Sequence, residues 1–471
     1  MINYPLNMEL IIVSIYLLFT LGLGIISGRK VKSFKEYALG TRNLPTIVMG
    51  MTVSATLIGG GSSLGTSTEV FKYGIIVILA KFGVSIGALL TAFFIVPRME
   101  RFSGKLTVGE IMGEMYGNKV RIITGFSGAI LCIGRVAAQI MALGFVMKYL
   151  FGFSQEFGTL CGVIIVIAYS AFGGVRSVVF TDVLQFIALA ITIPIILNIG
   201  LKSVGGYDGL LAQLPANMIS IYPSNEMFIK YLIVFLYMSI PMLSPPLAQR
   251  ILMSSSVDQA KKSFIFLAIT DIIFATIAGI IGLVAFVINA NIPANGAFLN
   301  LVNELGLLNK GLKVIAIIGI LSVIMSTVDS YLNAVSTSIV NDILSPCKII
   351  LSSKKELFCA RVITFFAGII AAIMALYFEN IFELAIYSSN FWGPLIVGPL
   401  LFGIFQIRIS TNTCLKSMFC GVVAFLLWEY FNLKETTYIY SIIPSILANI
   451  MVLLVAQCSI KKKSIIKSTI Q

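Results

Sequence analysis

Two apolar stretches of this chain carry residues that interrupt a helix, and the interruptions fall at corresponding places in the two halves of the sequence. The first, at residues 54–63, contains three consecutive glycines, and the second, at residues 240–246, contains three prolines. Both residue types unwind helices. Unwound backbone at membrane depth is tolerated only where it lines a protein cavity. If both stretches cross a membrane, the pair indicates the binding site of a secondary transporter.

The composition predicts an integral membrane protein. Apolar residues make up 58% of the 471 residues and charged residues only 11%, which is too apolar for a soluble domain. The net charge of +13 would favour nucleic acid in a soluble chain, but the basic residues lie mainly between apolar stretches and set orientation there. The seven cysteines show neither a disulfide framework nor metal-ligand spacing, and histidine is absent.

Thirteen apolar stretches are long enough to cross a bilayer, which takes about 20 helical residues. The first is too long for a cleavable signal peptide and lacks a small-residue cleavage site. We number the stretches spans 1 to 13, at residues 9–28, 45–71, 74–96, 122–150, 157–175, 179–200, 227–248, 263–289, 312–340, 357–377, 381–405, 414–432 and 438–458.

The basic residues between the spans predict the orientation of the chain. Residues 29–42, directly after span 1, carry five Lys and Arg residues, which places the N-terminus outside. Thirteen crossings then place the C-terminus inside, in agreement with the three lysines at 461–463. With this orientation most of the 33 Lys and Arg residues lie on the cytoplasmic side. The longest outer loops, 201–226 and 290–311, are predicted to carry short helices.

Spans 2–6 and spans 7–11 form two groups of five, and each group begins with an interrupted span. Because an odd number of crossings separates the first spans of the two groups, the second group enters the membrane from the opposite side. The sequence thus predicts an all-α membrane protein with an inverted five-helix repeat, whose interface holds solute and coupling ion. The expected units are 1–44 (extra span and cytoplasmic loop), 45–200 (first repeat), 201–405 (second repeat with its outer loop) and 406–471 (two last spans and basic tail).

Ionisable residues occur inside the spans, where charge is costly and therefore indicates function. The clearest of the ionisable residues inside spans are these five: Lys81, Arg135, Asp182, Asp271 and Asp329. Alternatively such residues pair structurally or extend to a membrane surface. For Lys81 and Asp271 both interpretations stay open, and Arg135 either binds a ligand or pairs with Asp271 or Asp329.

Span 9 carries a face of small polar residues. They recur at spacings of three and four, as residues on one helix face do, and they are Ser322, Ser326, Asp329, Ser330 and Asn333. Packing of small residues explains some of them, but not the acid. Hydroxyls together with the carbonyls freed in span 2 are the hard oxygen donors that an alkali cation needs.

Two segments resemble the sodium:solute symporter family. Residues 169–185 contain its Gly-Gly, Thr-Asp and Gln, and residues 325–330 are similar to its sodium motif. The resemblance extends over essentially the whole chain and implies a leucine-transporter-like fold. It implies a central sodium site formed by Ala55, Ile58, Val323, Ser326 and Thr327. It also implies a possible second sodium site at Asp182 and Ser330, beside Asp329, where members with a second ion carry serine.

The solute is less closely specified. Residues 55–61 and 249–256 resemble the choline-transporter branch, but Leu57 and Met242 stand where that branch has tryptophans for an aromatic cage. Residues 244–246 also lack the Asn-Gln-Tyr of sugar-transporting members. Residues 133–135 resemble the segment of sialic acid symporters whose arginine holds the substrate carboxylate, a role that suits a bidentate guanidinium. The candidate substrate-binding residues are Gly59, Gly60, Ser62, Ser63, Lys81, Arg135, Gln139, Met242 and Ser244.

These observations favour a sodium-coupled importer of a small carboxylate-bearing solute, an amino acid or organic acid, that works by alternating access. The expected cavity lies between spans 2, 3, 4, 7, 8 and 11. The alternative is import of a choline- or betaine-like cation or zwitterion, and a transporter-like sensor is more remote. No nucleophile–base set, metal cluster or nucleotide loop favours an enzyme. Sodium is the expected coupling ion, the expected location is a bacterial plasma membrane, and neither nucleic acid nor an obligatory protein partner is expected.

Overall fold

The computed structural model describes residues 8–29, 31–40, 43–241, 243–308, 310–349, 352–378 and 381–469, and every regular element in these ranges is helical. The α-helices, in chain order, are α1 (Met8–Gly28), α2 (Phe34–Leu39), α3 (Thr46–Leu57), α4 (Gly60–Tyr73), α5 (Ile76–Leu90), α6 (Val96–Met99), α7 (Val108–Tyr116), α8 (Asn118–Phe151), α9 (Gln155–Ser203), α10 (Gly206–Gln213), α11 (Ala216–Ile219), α12 (Asn225–Met238), α13 (Pro245–Met253), α14 (Val257–Ile288), α15 (Ala297–Leu308), α16 (Lys310–Ser338), α17 (Ser353–Tyr377), α18 (Ile381–Ser389), α19 (Gly398–Ile404), α20 (Thr411–Tyr430), α21 (Leu433–Thr437) and α22 (Ile442–Thr469).

Nine helices in the described ranges are long and apolar enough to cross a membrane, and they correspond to nine of the thirteen predicted spans. Spans 2 and 7 are each divided between two shorter helices, α3 with α4 and α12 with α13. Spans 5 and 6 are joined in α9, with a kink at Gly174 (φ 57°), where glycine is needed because a Cβ would press on Tyr37. Span 13 corresponds to a shorter apolar helix, Ile442–Cys458.

Both predicted interruptions are present and both are short. The first is confined to Ile58 and Gly59, since α3 ends at Leu57 and α4 begins at Gly60. The second extends from the end of α12 to the start of α13. Prolines occupy the first positions of α13, where the missing N–H leaves no hydrogen bond unmade. Pro245 and Pro246 therefore start the second half-helix, whereas Pro241 lies in the interruption itself.

The largely buried helices α8 and α16 lie at the centre of the bundle. α16 packs against α8 and α9, and α14 packs against α3, α4 and α5. By contrast, α1 and α17 present large apolar side chains outward, among them Leu18 and Phe366, as helices facing lipid do. Short helices lie in both long loops as predicted, α10 and α11 in the first and α15 in the second. We call the end of the bundle where α1 begins the Met8 face and the opposite end the Gly28 face.

Candidate functional site

A cavity of about 200 Å³ lies at the centre of the bundle beside both interruptions. The cavity is lined by α3, α5, α8, the α12–α13 segment, α14 and α18, which are the helices of the six spans expected to surround it. It is also lined by α16. Along α5 the lining residues run from Lys81 to Thr91. Because α5 runs from the Met8 face to the Gly28 face, the cavity extends toward the Gly28 face. Thr91 begins a π-helical turn, a feature that is frequent at functional sites.

Arg135 is half-buried in the cavity wall on α8. Its Nη2 donates a hydrogen bond of 2.9 Å to Ser389 Oγ on α18. Within the described part of the chain it forms no ion pair, and its buried Nε has no hydrogen-bond partner. The two acids considered as structural partners have other contacts, since Ser85 donates to Asp271 (2.7 Å) and Ser170 donates to Asp329 (2.6 Å). The guanidinium thus keeps donor capacity at the cavity.

Three further predicted substrate residues line the cavity: Lys81, Gln139 and Ser244. Gln139 is buried, and its Oε1 has no hydrogen-bond partner among the described atoms. An unpaired buried carbonyl is costly, so it is a ready acceptor for a polar solute. No Asp or Glu is found among the described residues that line the cavity, whereas two cations are. The Arg135 guanidinium in this wall therefore offers hydrogen-bond donors and a positive charge to an anionic group.

The other predicted substrate residues lie elsewhere. Gly59, Gly60 and Ser63 do not line the cavity. The side chain of Gln139 lies between the two glycines and the cavity: added Cβ atoms would come within 3.2 Å of its Nε2 at Gly59 and within 3.0 Å of its Oε1 at Gly60. The Ser62 side chain and the whole of Met242 are outside the described residues. The glycines thus let α8 and α16 approach the interruption, which is a packing role.

The structure brings the implied central sodium ligands together between α3 and α16. Ser326 Oγ lies 3.0 Å from the carbonyl oxygen of Ala55 and 3.0 Å from that of Val323, and Thr327 Oγ1 lies 3.4 Å from the latter. Ile58 stands in the break, with φ −79° and ψ 76°, so its carbonyl leaves the helical direction. Both hydroxyls are buried. These are neutral hard oxygens gathered from two helices, a donor set that suits an alkali cation.

Asp182 and Ser330, the implied second sodium ligands, also lie close together, but the guanidinium of Arg250 bridges them. Nη2 of Arg250 is 3.1 Å from Asp182 Oδ2 and 2.8 Å from Ser330 Oγ. Thr52 also donates a hydrogen bond to Asp182, and Thr56 Oγ1 is 3.0 Å from Ser330 Oγ. Arg250 and Asp182 are 1% and 0% exposed, so this is a fully buried ion pair.

Several cavity residues were not among the predicted ones: Thr56, Tyr237, Tyr331, Ser389 and Trp392. A signal for two of them was present in the sequence. Polar residues at 388–390 interrupt span 11 shortly before Trp392, as the glycines and prolines interrupt spans 2 and 7. Trp392 also precedes a π-helical turn at Gly393–Val397. Polar residues that interrupt an apolar span can therefore mark a cavity wall, as helix breakers do.

Comparison with known proteins identifies the class. The model of the sodium:solute symporter family matches residues 37–421, and the chain belongs to this family. It is similar to a high-affinity proline transporter of Bacillus subtilis (strain 168), with 22% identity over 447 residues that cover 91% of this chain and 93% of the relative. It is also similar to a sodium/proline symporter of Escherichia coli (strain K12), with 25% identity over 460 residues that cover 91% and 89%.

Solved structures agree on the fold. A sodium-coupled sialic acid symporter in its substrate-bound, outward-open state superimposes with a TM-score of 0.83 at 19% identity, covering 94% of this chain and 96% of that one. A nucleobase-cation-symport-1 family transporter in a closed conformation gives 0.60 at 13% identity, covering 89% and 94%. The similarity to these structures confirms the predicted leucine-transporter-like fold. The protein is thus a multi-pass membrane transporter that uses sodium to carry a small organic solute, and not an enzyme.

Proposed function

We propose that this protein is a sodium-coupled importer of a small carboxylate-bearing organic solute, an amino acid or an organic acid. The observation that carries the proposal is Arg135, a guanidinium in the wall of the central cavity with no ion-pair partner in the described part of the chain. A charged group inside a membrane protein needs a partner or a ligand. A carboxylate matches the planar fork of arginine with two parallel hydrogen bonds.

The cavity also bears on the alternative, a choline- or betaine-like solute. Tyr237, Tyr331 and Trp392 provide aromatic surface on which a quaternary ammonium group could lie. However, Lys81 and Arg135 share the same cavity, and no described lining residue carries a negative charge. Two cations at short range repel a third in a medium of low dielectric constant. The carboxylate solute is therefore the better match, and the aromatic rings then cover its apolar part.

The proposed sodium site explains coupling through a shared residue. Sodium would be held by the carbonyls of Ala55, Ile58 and Val323 and by the hydroxyls of Ser326 and Thr327. Thr327 also lines the cavity, so one side chain would serve both ion and solute. An ion that joins α3 to α16 would fix the wall against which the solute binds. Each ligand then raises the affinity for the other, as linkage requires.

The topology completes the proposal. We propose thirteen crossings of a bacterial plasma membrane, with the N-terminus outside and the C-terminus inside, and with repeats at 45–200 and 201–405 between flanking units 1–44 and 406–471. The distribution of Lys and Arg supports this orientation. The Gly28 face is then cytoplasmic, and the cavity extends toward it. On the other face Lys230 lies over the rings of Tyr73 (4.6 Å) and Tyr231 (5.4 Å), which favours closure on the outer side. Rocking of one repeat against the other would exchange these states.

Uptake by proteoliposomes tests this function. A panel of labelled amino acids, organic acids and choline is presented with an inward sodium gradient, with a proton gradient alone, or with neither. We expect one or more carboxylates to accumulate only with sodium, because the chain has hydroxyl ligands for sodium and no histidine for a proton relay. Equal uptake in sodium-free buffer under a pH gradient would contradict sodium coupling. Uptake of choline, but of no carboxylate, would favour the alternative.

Gly59→Ala is expected to weaken the apparent affinity for sodium. The added Cβ would overlap Thr327 Oγ1 and come within 3.1 Å of Thr327 Cβ, so it would displace a proposed ligand. Gly65→Ala is the matched control, because a Cβ at that position meets nothing within 4 Å. Sodium-dependent uptake should therefore shift to higher sodium concentration in the first variant and stay unchanged in the second. Identical sodium curves for both variants would argue against a site at this position.

A further inference from the structure

The loop between α20 and α22 lies outside both repeats and has no role in the transport cycle proposed so far. It contains α21, and we call residues 431–441 the strap. Tyr440 of the strap lines a small pocket together with Tyr231 of α12. The Tyr438 hydroxyl lies beside the carboxylate of Glu226, in the first turn of α12. The strap thus contacts the outer half of the second interrupted span.

This pocket is the outer continuation of the central cavity. Lys81 and Met238 line both of them, and the pocket lies at the start of α5, on the Met8 side of the cavity. Its volume is about 20 Å³, against about 200 Å³ for the central cavity. Because one water molecule alone needs about 10–15 Å³, a solute cannot pass here. The path from the outer side is therefore closed at this pocket.

The strap is held in place from the side of the last helices. Trp428 Nε1 on α20 donates a hydrogen bond of 3.0 Å to the carbonyl oxygen of Ile439. The Lys434 ammonium lies 4.9 Å from the centroid of the Tyr440 ring. Tyr438 has φ 58°, a left-handed conformation that is costly for a bulky residue and persists only where its surroundings enforce it. The strap therefore keeps Tyr440 at the pocket from outside the two repeats.

We propose that the strap is the outer lid of the transport path: it holds α12 in the closed position and must separate from α12 before a solute can enter from outside. The inference rests on the proposed function and specifies how its outer side closes. Glu69 on α4 and Lys230 on α12 both line the pocket, so the two repeats meet there.

The anchoring of the strap explains why it must be released. The strap joins α20 and α22, which pack against each other, and neither helix belongs to a repeat. A rocking motion that widens the pocket therefore moves α12 away from the strap. The Tyr231 hydroxyl is buried and has no hydrogen-bond partner among the described atoms. Water that enters the opened pocket would bind it and offset part of the lost contact.

Access from the outside tests the lid without any solute. Met238→Cys, in a background without the native cysteines, places a thiol between pocket and cavity, and a membrane-impermeant thiol reagent is added outside oriented vesicles. We expect Tyr440→Ala to raise the labelling rate about tenfold, since one aromatic contact of this kind shifts an equilibrium by about that factor. Tyr438→Phe, which removes only the hydroxyl beside Glu226, should raise it less. An unchanged rate in Tyr440→Ala would overturn the inference.

Tyr430→Ala is the matched control for the loss of an aromatic ring. Tyr430 ends α20, its side chain is 80% exposed, and it is not among the described residues that line the pocket. Labelling of Met238→Cys should stay at its original rate in this variant. An equal rise in Tyr430→Ala and Tyr440→Ala would mean a general loosening of the loop and would count against a lid.

A covalent tether tests whether the strap has to move during transport. Tyr438→Cys with Glu226→Cys places one thiol on the strap and one on α12, and a reducible bifunctional thiol reagent joins them. We expect sodium-driven uptake to stop and to return after reduction. The control pair, Leu433→Cys with Thr437→Cys, lies one turn apart within α21, so joining it should leave uptake at its level before treatment.

The two experiments separate failure of the lid from failure of the proposed function. Normal uptake by the tethered protein would overturn the lid and leave sodium symport intact. If the wild-type protein shows no sodium-dependent uptake of any solute in the panel, the proposed function fails. The labelling rates need no solute, so they still decide the role of the strap in that case.

Discussion

Replacing Ser326 and Thr327 together with alanine is expected to raise the sodium concentration for half-maximal transport about a hundredfold or more, since each hydroxyl facing a cation contributes about 1.5–3 kcal/mol and 1.4 kcal/mol is a factor of ten. Both side chains are buried, and Ser326 Oγ reaches carbonyl oxygens of two helices. Alanine keeps the helix intact, because it is the best helix former. The substrate affinity at saturating sodium should change less. The measurement is the sodium dependence of uptake at several solute concentrations.

The same helix offers a matched control. Ser336 and Thr337 repeat the Ser-Thr pair about 15 Å further along α16, at the helical rise of about 1.5 Å per residue. Both are buried and bond to backbone carbonyls of the preceding turn. Their double alanine variant should keep the wild-type sodium curve. If instead the Ser326→Ala/Thr327→Ala variant keeps that curve, the ion lies elsewhere.

The positions of the helix breaks could be predicted because their cause is local. Consecutive glycines and clustered prolines act on the backbone where they occur. Their extent could not be predicted: the first break spans only Ile58 and Gly59, since Gly60 continues into α4. The clustering of hydroxyls on α16 was likewise predictable from a spacing of three and four. The prediction that this face meets the break in α3 came from the family resemblance and not from the spacing.

The contacts of the buried charges could not be predicted, because they join residues far apart in the sequence. Asp182, Arg250 and Ser330 meet only after α9, α13 and α16 have packed. Among the described residues Arg135 forms no ion pair with Asp271 or Asp329, and its guanidinium instead donates a hydrogen bond to Ser389 on α18. Spacing along one helix assigns a residue to a face, but the neighbour across that face depends on the packing of the whole bundle.

Arg135→Lys is expected to lose most transport while the protein still reaches the membrane. Lysine keeps the positive charge but not the planar guanidinium fork. A carboxylate would then make a single contact with the ammonium group instead of two parallel hydrogen bonds. The loss of one charged hydrogen bond is worth about 1.5–3 kcal/mol, or roughly a ten- to hundredfold fall in solute affinity. Sodium affinity without solute should change little, since Arg135 is not among the proposed sodium ligands.

Binding and thermal stability measured on the same purified variant separate a ligand-binding role from a structural one. A ligand-binding arginine predicts weaker solute binding at an unchanged melting temperature, whereas a structural arginine predicts the reverse. Arg98→Lys is the control for the substitution itself, because Arg98 is exposed and lies over the Phe405 ring outside the cavity. Ser389→Ala removes the hydrogen-bond acceptor that orients the guanidinium, and should weaken solute binding by less than Arg135→Lys does. Unchanged affinity with a lowered melting temperature in Arg135→Lys would remove the main support for a carboxylate solute, because the guanidinium would then hold the bundle together rather than the ligand.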